Sequence, residues 1–246
     1  MKKKSEKLQH VNTGIGPVDV ILNKKVEETV AKREDADRKF LEEYGPTVLA
    51  KAEADFKALV ESDIGCAVII AGSDSDYKRC VEPITSHMEY IIDSLNRYHI
   101  PFEARVCSAH KQPEKALELL RNYNSYQGSI VIVAVAGTTD ALSGLLSYHS
   151  LHPVISCPPD GLNTSSLSNP SGSSNAFIRN PSNLGKYVAQ MFSTKNPRAK
   201  KVLEEEVKEK IKALELADCT YRVIHYGKQD FLKGYLQTSS SDKEGD

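Results

Sequence analysis

The sequence contains no CxxC pair and no apolar run approaching the ~20 residues that a membrane-spanning helix requires. Its five cysteines, at positions 66, 80, 107, 157 and 219, are odd in number and scattered. That pattern argues against a disulfide framework and against a zinc site built on paired cysteines, so the thiols are read as reduced. An excess of charge is also missing, since 32 Lys and Arg stand against 33 Asp and Glu for a formal charge of −1. No overall basic field draws nucleic acid or an anionic membrane, although the opening MKKKSEK is locally basic. MKKK is followed by polar SEKLQH rather than by the apolar core of a signal peptide. Neither a P-loop nor a GxGxxG fingerprint occurs. The expectation is a soluble, cytoplasmic protein whose partners are small molecules, with neither nucleic acid nor membrane among them.

What is present is enough for one full core and an appendage, in 246 residues of which 40% are hydrophobic. Residues 1–62 carry apolar side chains at helical spacing, Val20, Ile21, Val26 and Val30, then Phe40, Leu41, Val48, Leu49, Ala52, Phe56 and Leu59, among many charges. This reads as a helical extension, a pair or trio of amphipathic helices with Gly45-Pro46 interrupting the second. Such an extension packs on its own core or on a neighbouring subunit more often than it serves as a lid. Residues 63–220 then alternate strand, loop and helix. CAVIIAG, PFEARVC, SIVIVAVAG, HPVISCPP and the short NAFIRN read as strands. Helices are expected over Val81–Leu95, from Pro113, over DALSGLLSYHS and over LGKYVAQMF. A last amphipathic helix spans Arg198–Ala217, and residues 221–246 form a polar, partly disordered tail. Strands separated by helices of this length imply an α/β fold with a parallel sheet and helices on both faces. Such a sheet binds its ligand at the carboxyl ends of its strands, where the strand order reverses.

That rule selects Gly72–Asp76, Ser108–Lys111, Gly137–Ser143 and Ser156–Pro159. Gly72, Ser73 and Ser75 suit a phosphate, which takes backbone N–H groups and short hydroxyls that approach closely. The aspartates repel phosphate, so one of them does something else: Asp76 either caps the following helix or accepts from sugar hydroxyls. Taken alone, an ordinary capping turn explains GSDSD about as well. SAHK, at 108–111, offers a hydroxyl, an imidazole and an ammonium together. Its position at a strand end distinguishes His110, a candidate general acid or base, from His10, His87, His99, His149, His152 and His225.

In this order GSDSD, SAHK, AVAGTTDALSGLL, PVISCPP and SSLSNPSG resemble the phosphoribosylaminoimidazole carboxylase family of de novo purine synthesis. The likeness covers Cys66–Phe192, and SAHK with PVISCPP makes it more similar to the animal-type, carbon-dioxide-using enzymes than to the bacterial N5-carboxyaminoimidazole ribonucleotide mutases. The resemblance implies a three-layer, flavodoxin-like sheet, a homo-octamer, and carboxylation of aminoimidazole ribonucleotide (AIR) by CO2 without a cofactor or metal. It implies that Gly72, Ser73, Ser75 and Asp76 receive the 5′-phosphate and ribose, with Ser108 and Lys111 assisting. His110 then takes the C4 proton, Gly137, Thr138, Ala141, Leu142 and Ser143 flank the imidazole and carboxylate, and Ser171 and Gly172 close over the site. The chain departs from the animal-type AGRSN at Ala136–Asp140 and from SSLR at Ser168, so two arginines are missing and one carboxylate is added. An added carboxylate near an anionic product is expected to weaken its binding. The competing readings are the mutase, a catalytically silent ribonucleotide-binding protein, and a flavin binder on the same sheet.

Overall fold

The computed structural model of the chain describes residues 16–78 and 86–229. Five strands, β1 (Cys66–Ala71), β2 (Phe102–Val106), β3 (Ile130–Val135), β4 (Val154–Ser156) and β5 (Ala176–Phe177), form one sheet in the order β2-β1-β3-β4-β5. Every pairing is parallel. This is the three-layer, flavodoxin-like arrangement expected. Because all residues of β1 and β3 are buried, alternation along them sorts side chains between two layers rather than between core and water. Ala67, Ile69 and Ala71 face α3 (His87–Arg97) and α6 (Leu184–Phe192), while Cys66, Val68 and Ile70 face α4 (Pro113–Asn124) and α5 (Ala141–His149).

Local chemistry accounts for the helix starts. Ser86 and Glu89 form a reciprocal capping box at the start of α3, with Glu89 N–H donating to Ser86 Oγ (3.2 Å) and Ser86 N–H to Glu89 Oε2 (2.6 Å). Met88, Ile91 and Leu95 bury the expected face, and Val81 and Ile84 lie outside the described residues. A separate short helix, α2 (Asp74–Lys78), follows β1 directly. Pro113 opens α4, where its missing N–H has no intrahelical partner to lose.

At both ends the helices differ from the sequence expectation. The chain divides into two compact units between Asp55 and Phe56. In the first, α1 (Gly16–Glu61) is one helix running through Pro46, not a pair or trio. Gly45 has no Cβ to meet the proline ring, which removes one part of the clash that pushes the preceding residue out of helical geometry, while Pro46 still has no N–H to donate. The last turns of α1 belong to the second unit, where Phe56 and Val60 are buried with Leu120, Tyr123 and Ile130. At the other end, α7 (Pro197–Gly227) is longer than the Arg198–Ala217 expected and continues past residue 220. Asn196 caps it, accepting from Ala199 N–H at 3.0 Å. No described helix is long and apolar enough to cross a membrane.

Glu206 ties α7 to its neighbours. Its side chain is 5% exposed and accepts a short hydrogen bond from the Tyr98 hydroxyl, while Lys210 (2.5 Å), Arg97 (3.4 Å) and Lys186 (3.5 Å) surround it. Hydrogen bonds from Lys210 and Tyr98 hold its carboxyl down to about 2, and burial with the adjoining carboxylate pushes the Tyr98 phenol up to about 12. Since folding lowers the Glu206 pKa, the stability it contributes is complete above the unfolded value and drains away as pH falls toward 2. Glu206→Gln should cost ~2 kcal/mol at pH 7 and less at pH 3, seen as denaturation midpoints that converge on acidification. The α3–α6 contact is closer still, because a Cβ on Gly185 would lie 1.9 Å from the Ser94 carbonyl oxygen. Gly185→Ala should therefore destabilise the protein by ~2 kcal/mol or more in chemical denaturation, although alanine is the better helix former.

Candidate active site at the strand carboxyl ends

The strand order reverses between β1 and β3, since β2 lies on one side of β1 and β3 on the other. Over this point opens a cleft of about 740 Å³ lined by Gly72, Ser73, Ser75 and Asp76 after β1 and by Ser108, Ala109 and His110 after β2. Ala136, Gly137, Thr138 and Thr139 after β3, with Ala141 and Leu142 of α5, complete the lining. Three segments distant in sequence meet because parallel pairing brings the ends of β1, β2 and β3 to one edge of the sheet.

In the first loop Ser73, not Asp76, caps α2. Its Oγ accepts from Asp76 N–H (3.0 Å), donates to Asp76 Oδ2 (2.8 Å) and lies 2.8 Å from Ser75 Oγ. The capping role that the sequence allowed for Asp76 thus falls three residues earlier, where a side chain can reach back over the first turn. Asp76 instead spans the reversal, its Oδ1 accepting from Gly137 N–H at 3.3 Å. Gly72 allows the approach, since a Cβ there would sit 3.2 Å from Asp76 Oδ2 and 3.3 Å from Ala136 Cβ.

The turn after β2 is closed by Ser108, whose carbonyl accepts from Gln112 N–H (2.8 Å) and whose Oγ accepts from Lys111 N–H (3.1 Å). His110 is exposed on the cleft wall and makes no hydrogen bond among the described residues, so both ring nitrogens are open to a ligand. Lys111 shares the turn but does not line the cleft. Cys107, just before it, is buried, and burial raises its pKa; burial likewise pushes Cys66 and Cys157 up to about 12. These thiols remain protonated and unreactive.

The third loop corrects the expectation for Asp140. Its carboxylate is buried, capping α5 by accepting from Ser143 N–H (2.8 Å) and taking a second bond from Ser156 Oγ (2.7 Å). It does not face the cleft, so the added negative charge is met by protein donors rather than placed against a ligand. Ser143, in the first turn of α5, is fully buried, its Oγ accepting from Asn169 Nδ2 at 2.9 Å. Thr138 has a positive φ of 59° and gives its N–H to Asp160 Oδ2 at 2.8 Å. Asp160, Asn163 and Ser165, which support this loop from the segment after β4, escaped the sequence reading; the turn-forming DGLN was the only signal.

Ser171 and Gly172 do not line the cleft, although the cavity that Ser171 lines shares Ala141 with it. Ser171 lines a second cavity of about 420 Å³ with Gly144, Leu145, Tyr148 and His149, and Gly172, at φ +93°, packs against the Tyr148 ring. Neither Arg105, which pairs with Glu103 at 2.8 Å, nor Arg179 lines the cleft, and its described lining includes no lysine or arginine. Among the described residues, no group of three or more His, Cys, Asp or Glu is placed to hold a metal ion.

Known proteins share this chain's sequence pattern and its fold. The profile of the AIR carboxylase family matches residues 66–213. The chain is 35% identical over 145 residues to the mouse bifunctional phosphoribosylaminoimidazole carboxylase/phosphoribosylaminoimidazole succinocarboxamide synthetase, a match covering 56% of this chain and 32% of that protein. The chain thus spans about a third of the length of such bifunctional relatives. The phosphoribosylaminoimidazole carboxylase of Archaeoglobus fulgidus is 34% identical over 151 residues, covering 59% of this chain and 74% of the relative. Among solved structures, Treponema denticola PurE superposes with a TM-score of 0.55 at 25% identity, covering 63% of this chain and 98% of the other. The chain belongs to the AIR carboxylase family of purine-biosynthesis enzymes.

Proposed function

We propose that the chain carboxylates 5-aminoimidazole ribonucleotide with CO2 to give 4-carboxy-5-aminoimidazole ribonucleotide. The observation carrying this reading is that one cleft gathers the hydroxyls of Ser73, Ser75 and Ser108, the carboxylate of Asp76 and the unpartnered imidazole of His110. Ser73, Ser75 and Ser108 suit the 5′-phosphate, with Lys111 near by on the same turn as a source of positive charge. Asp76 keeps lone pairs for ribose hydroxyls beside its bond to Gly137. The ring then extends toward Gly137, Ala141 and Leu142, where apolar walls exclude water from CO2.

The chemistry asks little of the protein. The electron pair of the substrate's enamine forms the C4–carbon bond to CO2, which becomes the carboxylate. The C4–H bond then breaks, its pair restores the aromatic ring, and the proton passes to neutral His110 and on to solvent. The protein supplies orientation and one base.

Two measurements check this reading. His110→Asn should lower turnover at least ~100-fold while AIR affinity changes by less than a few fold in equilibrium binding. Supplying AIR with bicarbonate, against N5-carboxyaminoimidazole ribonucleotide, should give product from the first; product from the second alone would make the protein a mutase. A homo-octamer belongs to the same proposal, supported by the exposed Val207, Ile211 and Leu214 on α7, which a neighbouring copy would cover. Light scattering should give the octameric mass, and a monomeric mass would remove this part.

A further inference from the structure

Thr138 stands on the cleft rim in a backbone conformation that its own side chain opposes. It is β-branched and its φ is +59°. Such a conformation is strained for a β-branched residue and persists only where its surroundings impose it. Asp160 imposes it here, its Oδ2 accepting the Thr138 N–H at 2.8 Å, a bond strengthened by the charge on the acceptor. Asp160 is itself steadied by Asn163, whose Nδ2 donates to Oδ1 at 3.1 Å. Asn163 Oδ1 accepts from Ser165 Oγ at 2.7 Å, and that hydroxyl accepts from Asp140 N–H at 2.8 Å and lies 3.3 Å from the Thr138 carbonyl. The preceding N–H, of Gly137, is held from the other side of the loop by Asp76. Two successive backbone N–H groups on the rim are therefore clamped by two carboxylates, one following β1 and one following β4.

We propose that Asp160 is a positioning residue for the reaction, holding Thr138 in its left-handed conformation and so shaping the wall formed by Gly137 and Ala141. It touches no reacting atom, because its carboxylate is engaged by Thr138 and Asn163 and it does not line the cleft. Without the clamp, Thr138 relaxes toward negative φ, and the loop between β3 and α5 shifts where the ring and the incoming carbon are to be placed. Displacements of this size at a reacting centre lower rate more than they lower affinity.

This inference rests on the proposed carboxylation, and a cycle of variants separates the two. Asp160→Ala should lower kcat/KM at least ~10-fold, mostly in kcat, whereas Asp160→Asn, which keeps an acceptor oxygen, should recover most of the loss. In the Thr138→Gly background the same Asp160→Ala change should cost less than ~3-fold, because glycine adopts positive φ without a clamp. Equal losses in the two backgrounds, or no loss in either, would overturn the proposal. Backbone amide exchange supplies a readout independent of turnover. Asp160→Ala should accelerate exchange of the Thr138 amide at least ~10-fold in a protein whose melting still shows a folded core, and unchanged exchange would refute the clamp. An inactive wild-type protein with the exchange effect intact would instead remove the carboxylation and leave the clamp standing as a structural device.

Discussion

Everything at the site depends on the parallel pairing of β1 with β3, in register from Cys66 with Ile130 to Ala71 with Val135. Both strands are buried on both faces, so a slip of one residue would exchange the side chains packed under α3 and α6 with those under α4 and α5. The register also decides which backbone groups meet beyond the strand ends. Gly72 N–H donates to the Val135 carbonyl at 2.9 Å, and one step further Asp76 reaches Gly137. The cleft is the space left where this pairing stops and β2 departs to the other side.

Carboxylates organise the rim of that cleft from within. Asp76, Asp140 and Asp160 each accept a backbone N–H from, or at the edge of, the segment Gly137–Ser143. A carboxylate offers several acceptor positions and no donor, so it can hold a loop whose amides point outward and still meet a hydroxyl, as Asp76 meets Ser73 and Asp140 meets Ser156. This explains how a site suited to an anionic ligand tolerates so many acidic residues. Their charge is met largely by protein donors, and the ligand is left the serines, the imidazole, the remaining lone pairs of Asp76 and any amides still unpaired.

The second unit is braced by the cluster around Glu206, which joins α3, α6 and α7 by one buried carboxylate and its cations. Beyond that brace α7 carries Ile211, Leu214 and Tyr221 exposed to solvent. An isolated helix with such a stripe gains little stability in water from propensity alone, and burial of the stripe is what would make it firm.

Local chemistry in the sequence determined much of this protein. Buried strands announce themselves as unbroken Val, Ile and Ala runs, helix starts as Pro113 or a Ser–Glu pair, and strand-ending loops as the Gly, Ser, Asp and His that follow. Hence the parallel sheet with helices on both faces and the segments Gly72–Asp76, Ser108–Lys111 and Gly137–Ser143 were legible before any coordinates, although Lys111, Ser143 and the further segment Ser156–Pro159 do not line the cleft. Partners far along the chain were not, because a hydrogen bond has no sequence pattern. Whether Asp76 capped a helix or crossed to Gly137, whether Asp140 met ligand or Ser156, and which residue held Thr138 depended on loops that approach only once β1, β3 and β4 are paired. The placement of Ser171 and Gly172 beside Tyr148 belongs to the same class. The persistence of α1 through Pro46 was hidden for a different reason: proline is a strong local signal, and the glycine before it relieves only part of the clash behind that signal.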